Sequence, residues 1–203
     1  MTTSRTIAVT ALILTTTLTG TSCASSAGSG TESPSAPNGS ATASESPTSP
    51  SVPSDWQEVS VDAAQLHVPP DWTVEPGGAE TVSMVAPKDD LGYSPGFGNL
   101  LASNLGGGGD VATNVETIAG YEKDRLTTGG AAHLKRLPDA TFNGALFYHF
   151  QYEKDRTWND SYATVTEDGQ QQITINWDFN KSDIDRKGAD ALIAKVMPTF
   201  ELL

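Results

Sequence analysis

The run Gly92-Tyr93-Ser94-Pro95-Gly96 spells G-x-S-x-G, the sharp turn that presents the nucleophile of serine hydrolases. That chemistry uses the backbone N–H of the residue after the serine as an oxyanion-hole donor, and here the residue is Pro95, which has none. Losing one such donor costs about 10²–10³ in rate, and Pro95 also opposes a helix starting at that point. A hydrolase using Ser94 with a distant His and Asp is therefore carried only as an alternative, and the segment reads as a surface turn. Gly106-Gly107-Gly108-Gly109 precedes a helical pattern and could cradle an anion, but no Lys-Ser or Lys-Thr follows and Asp110 opposes a phosphate, so it reads as a flexible loop. The segment Asp178–Asp183 opens like a calcium loop, then has Asp183 where the sharp turn needs Gly and Ala189 where a bidentate Glu belongs. It reads as a strand end and a helix cap. His67, His133 and His149 fall on separate expected strands with no i, i+2 or i, i+4 pairing, so neither a metal site nor a cofactor is expected.

Two features remain. Phe142, Phe147 and His149 share one face of a hairpin and can either line a pocket for an apolar ligand or pack as core under a loop. Asp160 falls on an apolar face opposite Trp177, where an unpaired carboxylate is costly; the expected resolution is a position in water at the strand end, or acceptance of the indole N–H.

Those residues must be positioned by two hairpins and two helices. Asn143-Gly144 and Asp168-Gly169 each lie between alternating runs and suit type I′ loops. The second loop pairs Trp158 with Phe179, Asp160 with Trp177, Tyr162 with Ile175 and Thr164 with Ile173 on an apolar face. Val165 with Gln172, Ala163 with Thr174, Ser161 with Asn176 and Asn159 with Asp178 make a mostly polar one. The first loop puts Leu146, Tyr148, Phe150 and Tyr152 on one face with Leu137 and Thr141, while Phe142, Ala145, Ala140, Phe147, Pro138 and His149 make the other. Both faces are substantially apolar, so the strand is expected to sit centrally with both faces at least partly covered, or to line a pocket with one of them. One helix is expected over Thr113–Thr128, capped by the box Thr113-Asn114-Val115-Glu116 and stopped at Gly129-Gly130, with a stripe of Val115, Ile118, Ala119, Glu122 and Leu126. A second is expected over Asp183–Met197 with Ser182 as N-cap and a stripe of Ile184, Ala191, Leu192 and Lys195 or Val196. Earlier strands are expected at Gln57–Val61, Ala64–Val68, Thr81–Ala86 and Gly98–Ser103. The pattern is α+β: an antiparallel sheet of about six or seven strands packed with two main helices.

Composition divides the 203 residues. Residues 1–22 have a leader's parts: Arg5, an apolar stretch from Ile7 to Leu18, then small residues. Twelve apolar-region residues fall short of the roughly 20 that a membrane-spanning helix needs. Leu18-Thr19-Gly20-Thr21-Ser22-Cys23 resembles the lipobox of bacterial lipoproteins, in which the cysteine is acylated and becomes the mature N-terminus; the usual Leu three places before the cysteine is Gly20 here. That resemblance implies lipid attachment at Cys23, the chain's one cysteine, which also excludes an internal disulfide framework. Residues 24–54 are almost all Ser, Thr, Ala, Gly and Pro and cannot bury enough apolar surface to offset ordering, so 23–54 is the attachment cysteine and a disordered tether about 30 Å end to end. Residues 55–203 hold every Trp, Tyr and Phe, with 23 acids and 11 bases. The formal charge of −13 for the whole chain repels a nucleic-acid backbone and argues against that partner.

The run Leu66-His67-Val68-Pro69-Pro70-Asp71-Trp72 resembles the start of the PsbP-like fold. The order that follows also fits: strands, a helix after a Gly-rich loop, two hairpins, and a last helix ending in Val196-Met197-Pro198-Thr199-Phe200. Residues 55–203 are similar in layout to actinobacterial LpqN-type lipoproteins of that fold. The resemblance implies a lipid-anchored protein on the outer face of the cell membrane with a non-enzymatic binding or accessory role toward an envelope lipid or a membrane transport protein. It supplies no catalytic residues. A module that only binds another protein is the remaining alternative.

Overall fold

The computed structural model describes residues 52–88 and 90–203. The leader, Cys23 and the tether up to Ser51 lie outside them. Among the described residues the chain forms ten strands and two α-helices, so the domain is α+β as expected. Strands β1 (Gln57–Val61), β2 (Ala64–Val68) and β10 (Glu201–Leu202) make an antiparallel sheet of three. Strands β3 (Thr73–Pro76), β4 (Thr81–Val85), β5 (Gly96–Asn104), β6 (Ala132–Phe142), β7 (Ala145–Lys154), β8 (Thr157–Val165) and β9 (Gln171–Asn180) make an antiparallel sheet of seven in the order β3-β4-β5-β9-β8-β7-β6.

The β8–β9 register is the expected one at all eight pairs, Asp160 opposite Trp177 included. The loop differs. Only Gly169 has a positive φ, of 68°, and the Asp168 carboxylate accepts from Thr166 Oγ1 and Gln170 N, so a wider turn replaces the type I′ form. Asn143 and Gly144 do take positive φ, 45° and 87°, as a type I′ turn requires. The β6–β7 register then departs from a straight ladder. A bulge between Leu137 and Ala140, at Pro138, slides the strand by one residue, so Leu137 opposes His149 and joins its face, while Arg136 moves over Tyr148 and Phe150.

Helix α1 (Val111–Thr128) begins earlier than the capping box implies: Asp110, not Thr113, is the N-cap, accepting from Thr113 N at 2.9 Å. Its buried residues Val115, Ile118, Ala119 and Leu126 pack on β7 and β8, so the β8 face read as polar and wet is covered, with Asn159, Ser161, Ala163 and Val165 all buried. Helix α2 (Arg186–Val196) begins three residues late, because Asp185 caps it by accepting from Gly188 N at 2.7 Å. Its buried residues are Ala189, Ile193 and Val196, and Ala191, expected on the apolar stripe, is exposed. On this side of the large sheet, α2 and the small sheet enclose the main core around Trp177, Phe179, Phe147, Leu66, Met84 and Phe200.

Candidate functional site

Phe142, Phe147 and His149 lie together at the β6–β7 hairpin, but they do not form one pocket. Phe147 is fully buried, edge-on to Phe200 at 4.9 Å and to Phe142 at 5.6 Å, which makes these two rings part of the main core. The cavity near the hairpin turn, about 500 Å³, is lined instead by Asn143, Gly144, Ala145 and Leu146 together with Glu167 and Glu201. Asn143 fastens that turn to the C-terminal segment by donating to Phe200 O at 2.7 Å and Pro198 O at 3.2 Å.

His149 has a different employment. Its ring stacks on Tyr162 at 3.9 Å, and its Nε2 lies 2.7 Å from Asp160 Oδ1. The other carboxylate oxygen, Oδ2, accepts from Arg186 Nη2 at 2.6 Å. Asp160 is 1% exposed, so it is neither in water nor bonded to Trp177, whose indole N–H has no partner among the described residues. Strand β8 is interior to the sheet, and a carboxylate there survives because two cation-capable side chains close over it. Arg186 is held in turn by Asp190, one helical turn along α2, and by Gln151, whose amide oxygen accepts from Nη2 at 2.8 Å. Burial works against the guanidinium's charge, but the hydrogen bonds and fields of Asp190 and Asp160 outweigh it and hold its pKa above the ordinary value. Burial, reinforced by Asp160, likewise pushes the Tyr162 hydroxyl up, which keeps it neutral.

Arg186 and Gln151 also line a cleft of about 180 Å³, together with His133 and Lys135 of β6, Glu153 of β7 and Trp158 of β8. A second bulge, between Ala132 and Lys135, carries His133 at φ 51° and brings His133 and Lys135 both to the cleft. Trp158 is fixed there by donating from Nε1 to Ile184 O at 3.2 Å, with Lys181 Nζ 4.5 Å over its ring. Lys181 also binds Glu153 at 2.6 Å, and this bond first, with the nearby charges of Lys181, His133 and Lys135 after it, holds the Glu153 carboxyl below its ordinary range.

The other sequence candidates resolve locally. Ser94 Oγ faces the backbone carbonyls of Ala86 and Gly96 at 2.8 and 2.9 Å, bracing the β4–β5 loop, and its partners are not a histidine or a carboxylate. Among the described residues no group of three or more His, Cys, Asp or Glu is placed to hold a metal ion. Arg186, the centre of the network, was missed because a helix starting at Asp183 gives it no reason to face β8. The available signal was Asp160 itself, since a carboxylate on an interior strand demands a cation from somewhere.

No family model and no curated protein matches the chain. Solved structures align with part of it. The Ran-binding protein Mog1p of Saccharomyces cerevisiae aligns with a TM-score of 0.48 at 9% identity over 72% of this chain and 95% of that one. A variant of protein Mog1 aligns at 0.44 and 11% identity, over 71% and 86% of the two chains. A protein of Bacteroides thetaiotaomicron aligns at 0.39 and 13% identity over 69% of this chain, which spans 45% of that protein's length. At such identities the likeness is one of chain layout alone, and no residue of the cleft is carried over from it.

Proposed function

We propose that the protein is an exported, lipid-anchored component of the cell envelope, fixed to the outer face of the membrane through Cys23, whose folded domain serves as a non-catalytic binding or accessory unit with the cleft between β6 and α2 as its ligand site. The observation that carries the binding role is the construction of that cleft: exposed His133 and Lys135 and a fixed tryptophan, beside an Arg186 that is held in place by the buried Asp160. Groups locked to one another in this way hold the side chains around a ligand in fixed positions. The leader, the lipobox-like run before Cys23 and the PsbP-like, LpqN-type order of elements support the envelope setting. Two or three acyl chains at Cys23, at roughly 0.8 kcal/mol per buried CH₂, suffice for stable anchoring. A second reading, a module that docks a protein partner such as a membrane transporter, draws on the exposed apolar residues Leu91, Tyr93 and Phe97 at the β4–β5 loop.

Fractionation of cells expressing the Cys23→Ala variant tests the anchored role. The protein is expected in the medium or as an unprocessed precursor; unchanged membrane retention at unchanged mass contradicts lipidation.

A further inference from the structure

The charges around the cleft define what it can hold. Glu153 is taken by Lys181 at 2.6 Å, Asp160 by His149 and Arg186, and Asp190 by Arg186. The carboxylates nearby are thus committed to cations. The cations are not all committed in return. Lys135 is exposed and has no ion pair among the described residues, while Arg186 lines the same cleft with its Nε and Nη2 bound to Asp190, Asp160 and Gln151 and with an Nη1 that is sealed from solvent and has no hydrogen-bond partner among them. His133, also exposed, adds a ring on the same cavity. Buried N–H groups without an acceptor are costly, and a planar guanidinium matched by an ammonium is the pairing that recognises an oxyanion.

We propose that this cleft is an oxyanion site whose ligand is a phosphate group, bound by Lys135 with His133 beside it, in a cleft that Arg186 also lines and that Trp158 closes as the apolar wall. The inference rests on the binding role assigned to the cleft and names its ligand class. Volume sets the limit on size. At about 180 Å³ the cleft lies below the roughly 300–1,000 Å³ of sites for drug-sized ligands, a size that suits a phosphate or a small phosphorylated headgroup. The domain's excess of 23 acids over 11 bases works against any anion at a distance, but that field is screened beyond about 8 Å at physiological salt, whereas the cleft's cations act at contact. The same phosphate chemistry is offered by free phosphate and by a phospholipid headgroup.

Calorimetric titration of the purified full chain with inorganic phosphate, and separately with glycerol 3-phosphate as a soluble headgroup probe, tests the assignment. One saturable site is expected, weakened about tenfold or more in His133→Gln/Lys135→Gln, as the loss of charge-assisted hydrogen bonds implies. Both positions are exposed on an edge strand, so the variant should keep the parent's circular dichroism and melting temperature, and Lys123→Gln on α1 should bind like the parent. Tighter binding of glycerol 3-phosphate assigns the site to a headgroup, and tighter binding of inorganic phosphate assigns it to the free anion. Absence of saturable binding of either probe by the parent chain overturns the inference, as does equal binding by the double variant. Failure here with Cys23→Ala still released from the membrane removes the phosphate site and leaves the anchor, while binding here with Cys23→Ala retained does the reverse.

Discussion

The two faces of the seven-stranded sheet bury charge in opposite ways. On the α1 face the carboxylate in contact with the sheet is Glu122, 11% exposed, which accepts from Ser161 Oγ and pairs with an Arg125 that is 64% exposed. On the α2 face Asp160 is 1% exposed and both partners are largely covered, His149 at 12% and Arg186 at 21%. Water reaches the first pair through Arg125, whereas in the second it is shut out from the carboxylate and meets only part of Arg186. An ion pair left in water stabilises little and adapts to change; one shut inside the core fixes the groups around it and fails badly when one member is removed. A rigid floor is what a small-ligand site needs, and the sheet provides it on one face only.

The contrast is broken most forcefully at its centre. Asp160→Ala leaves Arg186 and the rest of the network without their shared acceptor and is expected to cost about 3–5 kcal/mol in urea denaturation, against roughly 1 kcal/mol for Glu122→Ala. Equal costs for the two variants would mean that the faces do not differ.

Packing sharpens the same comparison with glycines. A Cβ at Gly98 on β5 would sit 2.5 Å from the Trp177 ring, so Gly98→Ala should destabilise by about 1–3 kcal/mol as Trp177 is displaced toward Trp72 and Phe179. On α1 a Cβ at Gly120 would meet nothing within 4 Å, and Gly120→Ala is expected to stabilise by about 0.5–1 kcal/mol through helix propensity alone. Thermal melts of the two variants should move in opposite directions; a loss at Gly120 would show that the exposed side of α1 is packed after all.

The smallest expected effect concerns Asp178, on the α1 face of β9. Burial raises its pKa from the ordinary 3.8, only partly offset by Lys154. A carboxyl whose folded pKa is raised favours the folded state while protonated, and that contribution is lost as pH rises through the folded pKa. Asp178→Asn should therefore stabilise by about 0.5 kcal/mol near pH 7, a gain that disappears below about pH 3. Stability curves of the parent and the variant that stay parallel across that range would remove the assigned cause.

Local alternation made the β8–β9 hairpin legible residue by residue, because a slip of one place would have put Trp158, Tyr162, Ile173 and Ile175 in water. The fold class and the covering of both faces of β7 followed from the same patterning, but β7 lies next to the edge strand β6 and not at the centre of the sheet. Strands β3 and β10, four and two residues long, are too short to carry a period. The bulge at Pro138 and the start of α2 depended on competitions that sequence does not decide, since Ser182 and Asp185 are both good caps. The second bulge of β6, between Ala132 and Lys135, is likewise undeclared by the sequence, and it places the site together with α2. The bulged β6 and the late α2 bring His133, Lys135 and Arg186 to one cleft from positions more than fifty residues apart in the sequence, between His133 and Arg186. The aromatic pair Phe142 and Phe147 was the more visible signal, and it is core.

The cleft as a phosphate site is tested most directly by backbone amide NMR of the isotope-labelled chain as inorganic phosphate is added. The expected result is a set of saturating shifts confined to His133, Lys135, Gln151, Trp158 and Arg186 with their neighbours on β6, β7 and α2. Shifts that instead fall on Asn143–Leu146 at the other cavity, or amides that stay in place throughout, would contradict it.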